Sequence, residues 1–534
     1  HGEWDVVVIG GGATGLGTAL DAVTRGYSTL LLEGHDFAKG TSSRSTKLVH
    51  GGVRYLAQGY VDLVREALRE RGRLARNAPH LFKTQAFIIP GEKWWTAPYY
   101  TFGLWMYDRL SGKLSIGHTR HLSQAEARKR LSGVRDDKVG AGVCYYDGQF
   151  DDARLALCLA LSIVDHGGTV LNYCSVTGID KNAAGKIDGV SCRDELTGET
   201  YQVKAKCVVN ATGVFANPIL GMDEVHEKPP ILPSQGIHLV LDRDFLPGDD
   251  ALMVPKTSDG RVLFAVPWHG KLVVGTTDTL IKEPSYEPKP LEQEIEFILN
   301  TARDYLKRAP TRADVRSVFV GLRPLAAPKD EGKSTKEVSR SHKVEVSKSG
   351  MVNIFGGKWT TYRQMAEDGI DAAIGAGLLP QKACATRELK LHGYIDANRH
   401  LDDTPLPARA LGDVIDNASS SPARIPAAHS DVGENTNVAD TAVYCPPPSR
   451  DGDACAQAGS GLVVSEETDR LLRDALALAE ATGGAFNPMI GPLVAAWDVK
   501  AMRAAYVAGA PLPPAPAADA VEAALCASSW SLLS

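Results

Sequence analysis

The sequence has 534 residues, of which 44% are hydrophobic and 23% charged, and this length predicts two to four domains. Its 64 acidic and 58 basic side chains give a formal net charge of −6, which argues against a general nucleic-acid-binding protein. No run of eighteen apolar residues occurs, so we expect no membrane-spanning helix, although attachment to a membrane surface is compatible with the sequence.

The first predicted elements form a β-α-β unit around a glycine-rich turn. Trp4 to Ile9 and Thr29 to Leu32 are typical of short buried strands, and Ala13 to Arg25 is typical of a helix. The turn between them has the pattern G-x-G-x-x-G, whose glycines permit a tight turn, close approach of backbone to a pyrophosphate, and close packing of helix on strand. The helix N-terminus offers N–H groups to phosphates, and an acid at the end of the second strand bonds ribose hydroxyls. The pattern predicts a dinucleotide site, of NAD or FAD, at Gly10, Gly12, Ala13, Thr14, Gly15 and Glu33.

Further elements follow along the chain. Apolar periodicity predicts helices over Tyr60 to Arg76 and Leu291 to Arg308, strand-like segments over 168 to 213 and 231 to 280, and a strand over Gly350 to Ile354. After about residue 380 the amino-acid composition changes, and residues 402 to 460 are rich in Pro, Ser, Ala, Gly and Asp, as in a linker. The nine cysteines include no C-x-x-C pair, so we expect neither a metal site nor a disulfide framework.

The segment Lys93 to Leu110 is unusually aromatic, with three Trp, three Tyr and one Phe. Large aromatic side chains usually pack inside a protein, and this is one interpretation. The other is contact with a membrane surface, because Trp and Tyr favour the interface between lipid and water and basic residues flank the segment. The sequence leaves both interpretations open.

Several blocks in fixed order carry a resemblance to a known family. They are Thr41-Ser42-Ser43-Arg44-Ser45-Thr46-Lys47-Leu48-Val49-His50-Gly51-Gly52-Val53-Arg54-Tyr55-Leu56, Tyr145-Tyr146-Asp147-Gly148-Gln149, Val209-Asn210-Ala211-Thr212-Gly213, Gly275-Thr276-Thr277-Asp278-Thr279, Gly321-Leu322-Arg323-Pro324-Leu325 and Gly356-Gly357-Lys358-Trp359-Thr360-Thr361-Tyr362-Arg363. Over about residues 4 to 370 the chain resembles the FAD-dependent glycerol-3-phosphate dehydrogenases, and the mitochondrial form more than the bacterial one.

The resemblance implies an α/β fold with a glutathione-reductase-type, Rossmann-like FAD-binding domain and a mixed-sheet substrate domain. The FAD-binding domain is expected in three segments, 1–80, 146–224 and 345–380, and the substrate domain in two, 81–145 and 225–344. Residues 381–534 are expected to be a divergent, partly disordered C-terminal region, in which no calcium loop of the D-x-[DN]-x-[DN]-G type appears.

The resemblance also implies which residues would act on substrate. Arg54, Arg323 and Lys358 would bind the phosphate, for which a guanidinium offers a bidentate fork. His238 would take the hydroxyl proton, although a packed structural histidine is the plainer interpretation. Tyr55 would donate a hydrogen bond to substrate.

Further residues are implied at the cofactor. The polar loop after Gly40 offers hydroxyls, backbone N–H groups and a cation, which suit a flavin diphosphate or ring edge, although a polar surface turn would have the same composition. The residues implied at FAD beyond the first turn are Thr41, Ser42, Ser43, Ser45, Lys47, His50, Gly51, Gly213, Gly357, Lys358 and Thr361.

The implied reaction is oxidation of sn-glycerol 3-phosphate to dihydroxyacetone phosphate, with hydride passing from C2 to flavin N5 and electrons then passed to a quinone. The implied location is the surface of the mitochondrial inner membrane, with the bacterial cytoplasmic membrane as alternative, and a homodimer is one possibility. Three other functions stay open: an oxidase of the same substrate that uses oxygen, an amine-oxidising flavoprotein, and a flavin-binding relic without catalysis.

Overall fold

The computed structural model describes residues 2–57, 59–91, 96–224, 231–257, 260–326 and 342–394. All of them lie in His1–Leu406, the first of two units into which the chain divides. Within these ranges the helices are α1 (Ala13–Thr24), α2 (Val53–Ala57), α3 (Val61–Asn77), α4 (Thr96–Ser111), α5 (Gln124–Arg130), α6 (Asp152–Asp165), α7 (Ala216–Asp223), α8 (Glu292–Tyr305) and α9 (Tyr362–Gly375).

The strands of the described residues form two large sheets. In chain order they are β1 (Trp4–Ile9), β2 (Thr29–Leu32), β3 (Leu48–Val49), β4 (Phe82–Gly91), β5 (Arg120–Leu122), β6 (Ala141–Phe150), β7 (Thr169–Leu171), β8 (Cys174–Lys181), β9 (Ile187–Asp194), β10 (Thr200–Asn210), β11 (Ile231–Asp242), β12 (Ala251–Val254), β13 (Leu263–Trp268), β14 (Lys271–Gly275), β15 (Thr279–Leu280), β16 (Ser317–Ala326), β17 (Lys343–Val346) and β18 (Val352–Phe355).

The first sheet is mainly parallel and has the order β17-β18-β10-β1-β2-β7. The hairpin of β8 and β9 joins it through pairing of β9 with β10. Its central strand β1 is buried on both faces, which is why Val6 to Ile9 are apolar without alternation. Val6 and Val8 pack with α1, α6 and α9, while Val7 and Ile9 pack with the hairpin and α7. The carboxyl end of β1 thereby opens into the glycine-rich turn.

The second sheet is mixed and has the order β15-β11-β14-β13-β12-β4-β6-β3, with β16 paired to β11 and β5 paired to β6. Only β12 and β4 run parallel among its described pairs. One face packs against α5 and α8, and the other packs against α3 and α4. Strand β6 pairs with β4 along its whole length, so the predicted domain limit between residues 145 and 146 falls within a strand of this sheet.

Most predicted elements occur with small shifts at their ends. Strands β1 and β2 have the predicted bounds, and the predicted helices at Tyr60 and Leu291 are observed as α3 and α8. The first helix ends at Thr24, because Gly26 takes a positive φ of 80° that a continuing helix does not allow.

The aromatic segment forms α4, except that Trp94 and Trp95 lie outside the described residues. Its side chains divide between two faces. Leu104 and Tyr107 are buried against the second sheet, whereas Tyr99, Phe102 and Trp105 are 60%, 65% and 48% exposed. One face of the helix therefore packs in the core, and no residue that the structure describes covers the other face.

Candidate active site

The glycine-rich turn fits a pyrophosphate. A Cβ atom at Gly15 would stand 1.8 Å from the carbonyl oxygen of Gly10, so the turn can close only with glycine there. At Gly12 a Cβ would meet just one neighbouring atom, the Ser42 hydroxyl at 3.1 Å, on the side that faces a cavity. Helix α1 begins at Ala13, whose N–H donates a hydrogen bond to Ser42 Oγ at 2.9 Å. The turn therefore presents backbone to the cavity, as phosphate binding requires.

Glu33 closes the same region at the end of β2. One of its carboxylate oxygens accepts a hydrogen bond from the N–H of Gly11 at 2.6 Å, and the other accepts from the N–H of His35 at 2.8 Å. These bonds fix the carboxylate beside the turn, and each oxygen keeps a second lone pair for a ribose hydroxyl.

One cavity of about 660 Å³ connects this turn with the second sheet. The predicted site residues whose atoms line it are Gly10, Gly12, Ala13, Thr14, Glu33, Thr41, Ser42, Ser45, His50, Tyr55, Gly213, His238, Arg323, Gly357 and Lys358. Residues of the first turn thus share one space with Arg323, Lys358 and His238.

Five predicted cofactor residues stand beside the cavity without lining it, namely Gly15, Ser43, Lys47, Gly51 and Thr361. Lys47 has another partner, because its ammonium forms a 2.6 Å ion pair with the buried Asp152. Gly51 donates its N–H to the Tyr107 hydroxyl at 2.7 Å. Arg54 belongs to α2, and its side chain lies outside the described residues.

His238 lies on β11 with its ring held between neighbours. It stacks on Phe319 of β16, with ring centroids 4.7 Å apart and an interplanar angle of 12°. A Cβ at Gly275 of β14 would stand 2.4 Å from the imidazole Cδ2, so glycine at that position makes room for the ring. Burial, followed by the positive charges of Arg323 and Lys47, lowers the pKa of His238 to about 3, and the ring is therefore neutral near pH 7.

Arg323 and Lys358 supply positive charge to the cavity. The Arg323 guanidinium lies over Gly236 and donates to Thr276 Oγ1 at 3.0 Å, to the Gln235 carbonyl at 3.4 Å and to Asp278 at 3.4 Å. Lys358 comes after β18 and the two glycines that follow it, and its Nζ lies 4.3 Å from the centre of the Tyr55 ring. Two cations and a neutral imidazole in one cavity suit a substrate that carries both an anionic group and a hydroxyl.

Some residues of this region were not among the predicted site residues. Thr46 places its hydroxyl 2.8 Å from His238 Nε2, and Asp278 contacts Arg323. Both residues occur in the blocks that carry the family resemblance. Their contacts join residues far apart in the chain, so no nearby sequence pattern indicates them.

An aromatic pair that lines the cavity was also not among the predicted site residues. Tyr286 stacks on Phe215 with centroids 3.9 Å apart, and both rings line the cavity. The Tyr286 carbonyl accepts a hydrogen bond from Arg44 at 2.7 Å, and the neighbouring Glu287 forms ion pairs with Arg44 and Lys39. Burial and the Glu33 charge raise the pKa of Tyr286 to about 12. This segment, Tyr286–Glu287, brings the chain after β15 against Lys39 and Arg44.

Comparison with protein families gives a match over residues 5–363 to the family described as FAD dependent oxidoreductase. The chain belongs to this family. A second match, to the ApbE family, covers residues 451–533, which lie outside the described residues of the oxidoreductase.

The oxidoreductase is similar to named relatives. It is 44% identical over 387 residues to the mitochondrial glycerol-3-phosphate dehydrogenase of Mus musculus, covering 70% of this chain and 53% of the relative. The corresponding protein of Bos taurus is 44% identical over 409 residues, covering 74% and 56%. The chain thus spans about half the length of these relatives.

A solved structure agrees with these similarities. The glycerol-3-phosphate dehydrogenase from Bacillus halodurans, complexed with FAD, is 32% identical, with a TM-score of 0.59 and coverage of 78% of this chain and 72% of that one. The predicted resemblance, the fold class and the choice of FAD over NAD are confirmed.

Proposed function

We propose that this oxidoreductase converts sn-glycerol 3-phosphate to dihydroxyacetone phosphate. FAD, when bound, supplies the acceptor for the two electrons of the C2–H bond. The observation that carries the proposal is the presence of Arg323, Lys358 and His238 on the same cavity as the pyrophosphate-binding turn. The names of the relatives in mouse, cow and Bacillus halodurans support the same substrate.

The cations of the cavity would bind the substrate phosphate. Arg323 is held by Thr276 and the Gln235 carbonyl, so its guanidinium is oriented before substrate arrives. Lys358 adds a second charge from the end of β18, and Arg54 is proposed as a third by resemblance. A dianionic phosphate suits this group better than the single carboxylate of an amino acid, which favours a phosphorylated substrate over an amine.

His238 would accept the proton of the C2 hydroxyl. Its ring is neutral at physiological pH and therefore has a free lone pair on one nitrogen. A bound phosphate dianion would offset the charges of Arg323 and Lys47, which would make the protonated ring easier to form once substrate is present. Tyr55, whose ring lies against the Lys358 ammonium, would donate a hydrogen bond to substrate.

The substrate class is tested with purified, FAD-loaded protein and an artificial electron acceptor. We expect glycerol 3-phosphate to be oxidised at a rate at least about a hundredfold above glycerol, glycine or D-alanine at equal concentration, because glycerol has no anionic group and the amino acids offer the cations only one carboxylate charge. Oxidation of the amino acids in preference to glycerol 3-phosphate would overturn the proposal. No oxidation of any of these substrates by protein that retains FAD would favour the non-catalytic relic.

The proposed physiological acceptor is a quinone, and the proposed location is the mitochondrial inner membrane. No helix among the described residues is long and apolar enough to cross a bilayer. The exposed face of α4, formed by Tyr99, Phe102 and Trp105, could lie on the membrane surface, and Arg109 stacks over Trp105 at 4.9 Å, where it could meet an anionic headgroup. The relatives named as mitochondrial support this location, and the homodimer stays a prediction.

One measurement distinguishes quinone from oxygen as the electron acceptor, and another tests α4 as the membrane contact. Oxygen uptake as fast as quinone reduction would favour the oxidase. For the membrane contact, Phe102→Ser with Trp105→Ser should reduce binding to cardiolipin-containing vesicles while the rate with a soluble acceptor survives. Leu280→Ser, which changes a residue 53% exposed elsewhere, is the matched control. Equal vesicle binding by both variants would overturn the role of α4.

A further inference from the structure

The ring of His238 has unequal surroundings at its two nitrogens. Nε2 lies 2.8 Å from the hydroxyl oxygen of Thr46. Nδ1 is buried and makes no hydrogen bond to any residue that the structure describes, although the residue itself lines the cavity. A neutral imidazole has one donor and one acceptor nitrogen, so the partner of Nε2 decides which lone pair is left for a ligand.

The orientation of the ring is set by packing on both sides. Phe319 stacks on one face, and Gly275 lies so close to Cδ2 that no side chain fits there. With the ring fixed in this way, a buried N–H at Nδ1 would have no acceptor, and an unsatisfied buried donor costs about 1 to 3 kcal/mol. The tautomer that places hydrogen on Nε2 avoids this cost, since Thr46 Oγ1 can accept it.

Thr46 is itself held in place by its neighbours in the chain. Ser45 donates through both its N–H and its hydroxyl to a carboxylate oxygen of Asp152, at 3.0 and 2.7 Å. Lys47 pairs with the other oxygen of the same carboxylate at 2.6 Å. Both residues that flank Thr46 are therefore tied to the first residue of α6, and the hydroxyl has a defined position against β11.

We propose that Thr46 is a positioning residue that accepts the Nε2 hydrogen of His238 and so reserves the Nδ1 lone pair for the substrate. The inference rests on the proposed function, in which His238 is the base. In the step that it serves, the substrate O–H bond breaks, an Nδ1–H bond forms, and the ring becomes an imidazolium. Thr46 continues to accept from Nε2 throughout, and the hydrogen bond strengthens as the ring becomes charged.

Other groups that face the ring do not offer this bond. The charged groups around it are Arg323 from β16 and Lys47 from the loop before β3, and neither cation can accept a hydrogen from nitrogen. Their charges oppose protonation of the ring, so an acceptor on Nε2 stabilises the imidazolium in surroundings that otherwise disfavour it. Among the residues that the structure describes, Thr46 is the one whose side chain forms a hydrogen bond with the ring, at Nε2.

The test compares Thr46→Val, which keeps the shape without the hydroxyl, with Thr46→Ser, which keeps the hydroxyl. Flavin reduction by glycerol 3-phosphate is followed by anaerobic rapid mixing across pH 5.5 to 9. Thr46→Val should lower the limiting rate about 10- to 100-fold, with the half-saturating substrate concentration changed less than threefold, and shift the pH dependence of the rate to lower pH, because the imidazolium loses the acceptor that stabilises it. Thr46→Ser should stay within about threefold of the wild type.

A readout independent of activity accompanies the kinetics. In protein labelled with nitrogen-15 histidine, the signals missing from His238→Gln identify the ring, and their shifts report which nitrogen carries hydrogen. We expect hydrogen on Nε2 in the wild type and in Thr46→Ser, and a mixture of tautomers or hydrogen on Nδ1 in Thr46→Val. Thr301→Val, which removes a buried hydroxyl in α8, is the control expected to match the wild type in both experiments.

The outcomes separate this inference from the proposed function. Wild-type kinetics in Thr46→Val, an equal loss in Thr46→Ser, or hydrogen on Nδ1 in the wild-type ring would each overturn the role of Thr46. If the wild type itself is not reduced by glycerol 3-phosphate, the proposed function fails, and the tautomer measurement still decides whether Thr46 sets the state of the ring.

Discussion

Arg323 and Asp278 face each other across the second sheet, with 3.4 Å between a guanidinium nitrogen and a carboxylate oxygen. Asp278 also accepts a short hydrogen bond from the Ser234 hydroxyl. Both carboxylate contacts come from strands that line the cavity, so Asp278 orients the arginine proposed to bind phosphate.

Removing the charge of Asp278 should therefore weaken substrate binding more than turnover. We expect Asp278→Asn to raise KM for glycerol 3-phosphate about 10-fold, with kcat within about threefold of the wild type and FAD retained. Steady-state kinetics with a soluble acceptor test this. Asp242→Asn, at the end of β11 where its carboxylate pairs with Arg316 and Lys271, is the control, and an equal change in that variant would contradict a specific role for Asp278.

The phosphate site should distinguish phosphorylated from unphosphorylated alcohols. Arg323→Ala removes a charge-assisted contact of about 1.5 to 3 kcal/mol, which lowers kcat/KM for glycerol 3-phosphate roughly 10- to 150-fold. The slow oxidation of glycerol should change far less, because it engages no cation. A parallel loss with both substrates would mean that Arg323 acts on the flavin or the fold instead.

Much of the cofactor site could be predicted from the sequence because its signal is local. The glycine-rich turn and Glu33 lie within one β-α-β unit, whose strands and helix have clear apolar patterns. The contacts of Thr46 with His238 and of Tyr286 with Phe215 join residues separated by many elements, so no periodicity indicates them.

Helix α4 shows another limit of sequence patterns. Its aromatic residues occur almost all round the helix, so the sequence does not reveal which of them face the core. The packing of α3 and the second sheet decides that Tyr107 is buried and Phe102 is exposed.

The segment Tyr286–Glu287 should contribute to FAD retention. Tyr286→Ala removes the cavity-lining ring that stacks on Phe215, and we expect the dissociation constant of FAD from the apoprotein to rise at least about tenfold. Flavin fluorescence during titration measures this directly. Tyr201→Ala, which changes a tyrosine 38% exposed on β10, is the control expected to bind FAD as the wild type does. Unchanged affinity in Tyr286→Ala would show that the segment does not hold the cofactor.

The low pKa of His238 predicts a loss of stability in acid. In the unfolded chain a histidine titrates near pH 6.5, whereas His238 in the folded protein stays neutral down to about pH 3. Between these values the unfolded state binds one more proton at this residue, so the free energy of unfolding falls as pH falls, by up to about 1.4 kcal/mol per pH unit.

Replacement of His238 should remove this part of the pH dependence. Urea unfolding of His238→Gln at pH 7.0, 6.0 and 5.0 should show a shallower decline than the wild type, and the exposed His118→Gln should decline as the wild type does. Parallel declines in all three proteins would mean that His238 titrates in the folded protein as it does in the unfolded chain.

In the proposed reaction, a phosphorylated alcohol bound by Arg323 and Lys358 is oxidised at FAD in this cavity. Anaerobic titration of the FAD-loaded protein with sn-glycerol 3-phosphate, followed by flavin absorbance and assay of dihydroxyacetone phosphate, tests it most directly. We expect loss of the oxidised flavin spectrum with one dihydroxyacetone phosphate formed per flavin, and no comparable change with glycerol. An oxidised flavin that persists in excess glycerol 3-phosphate would contradict it.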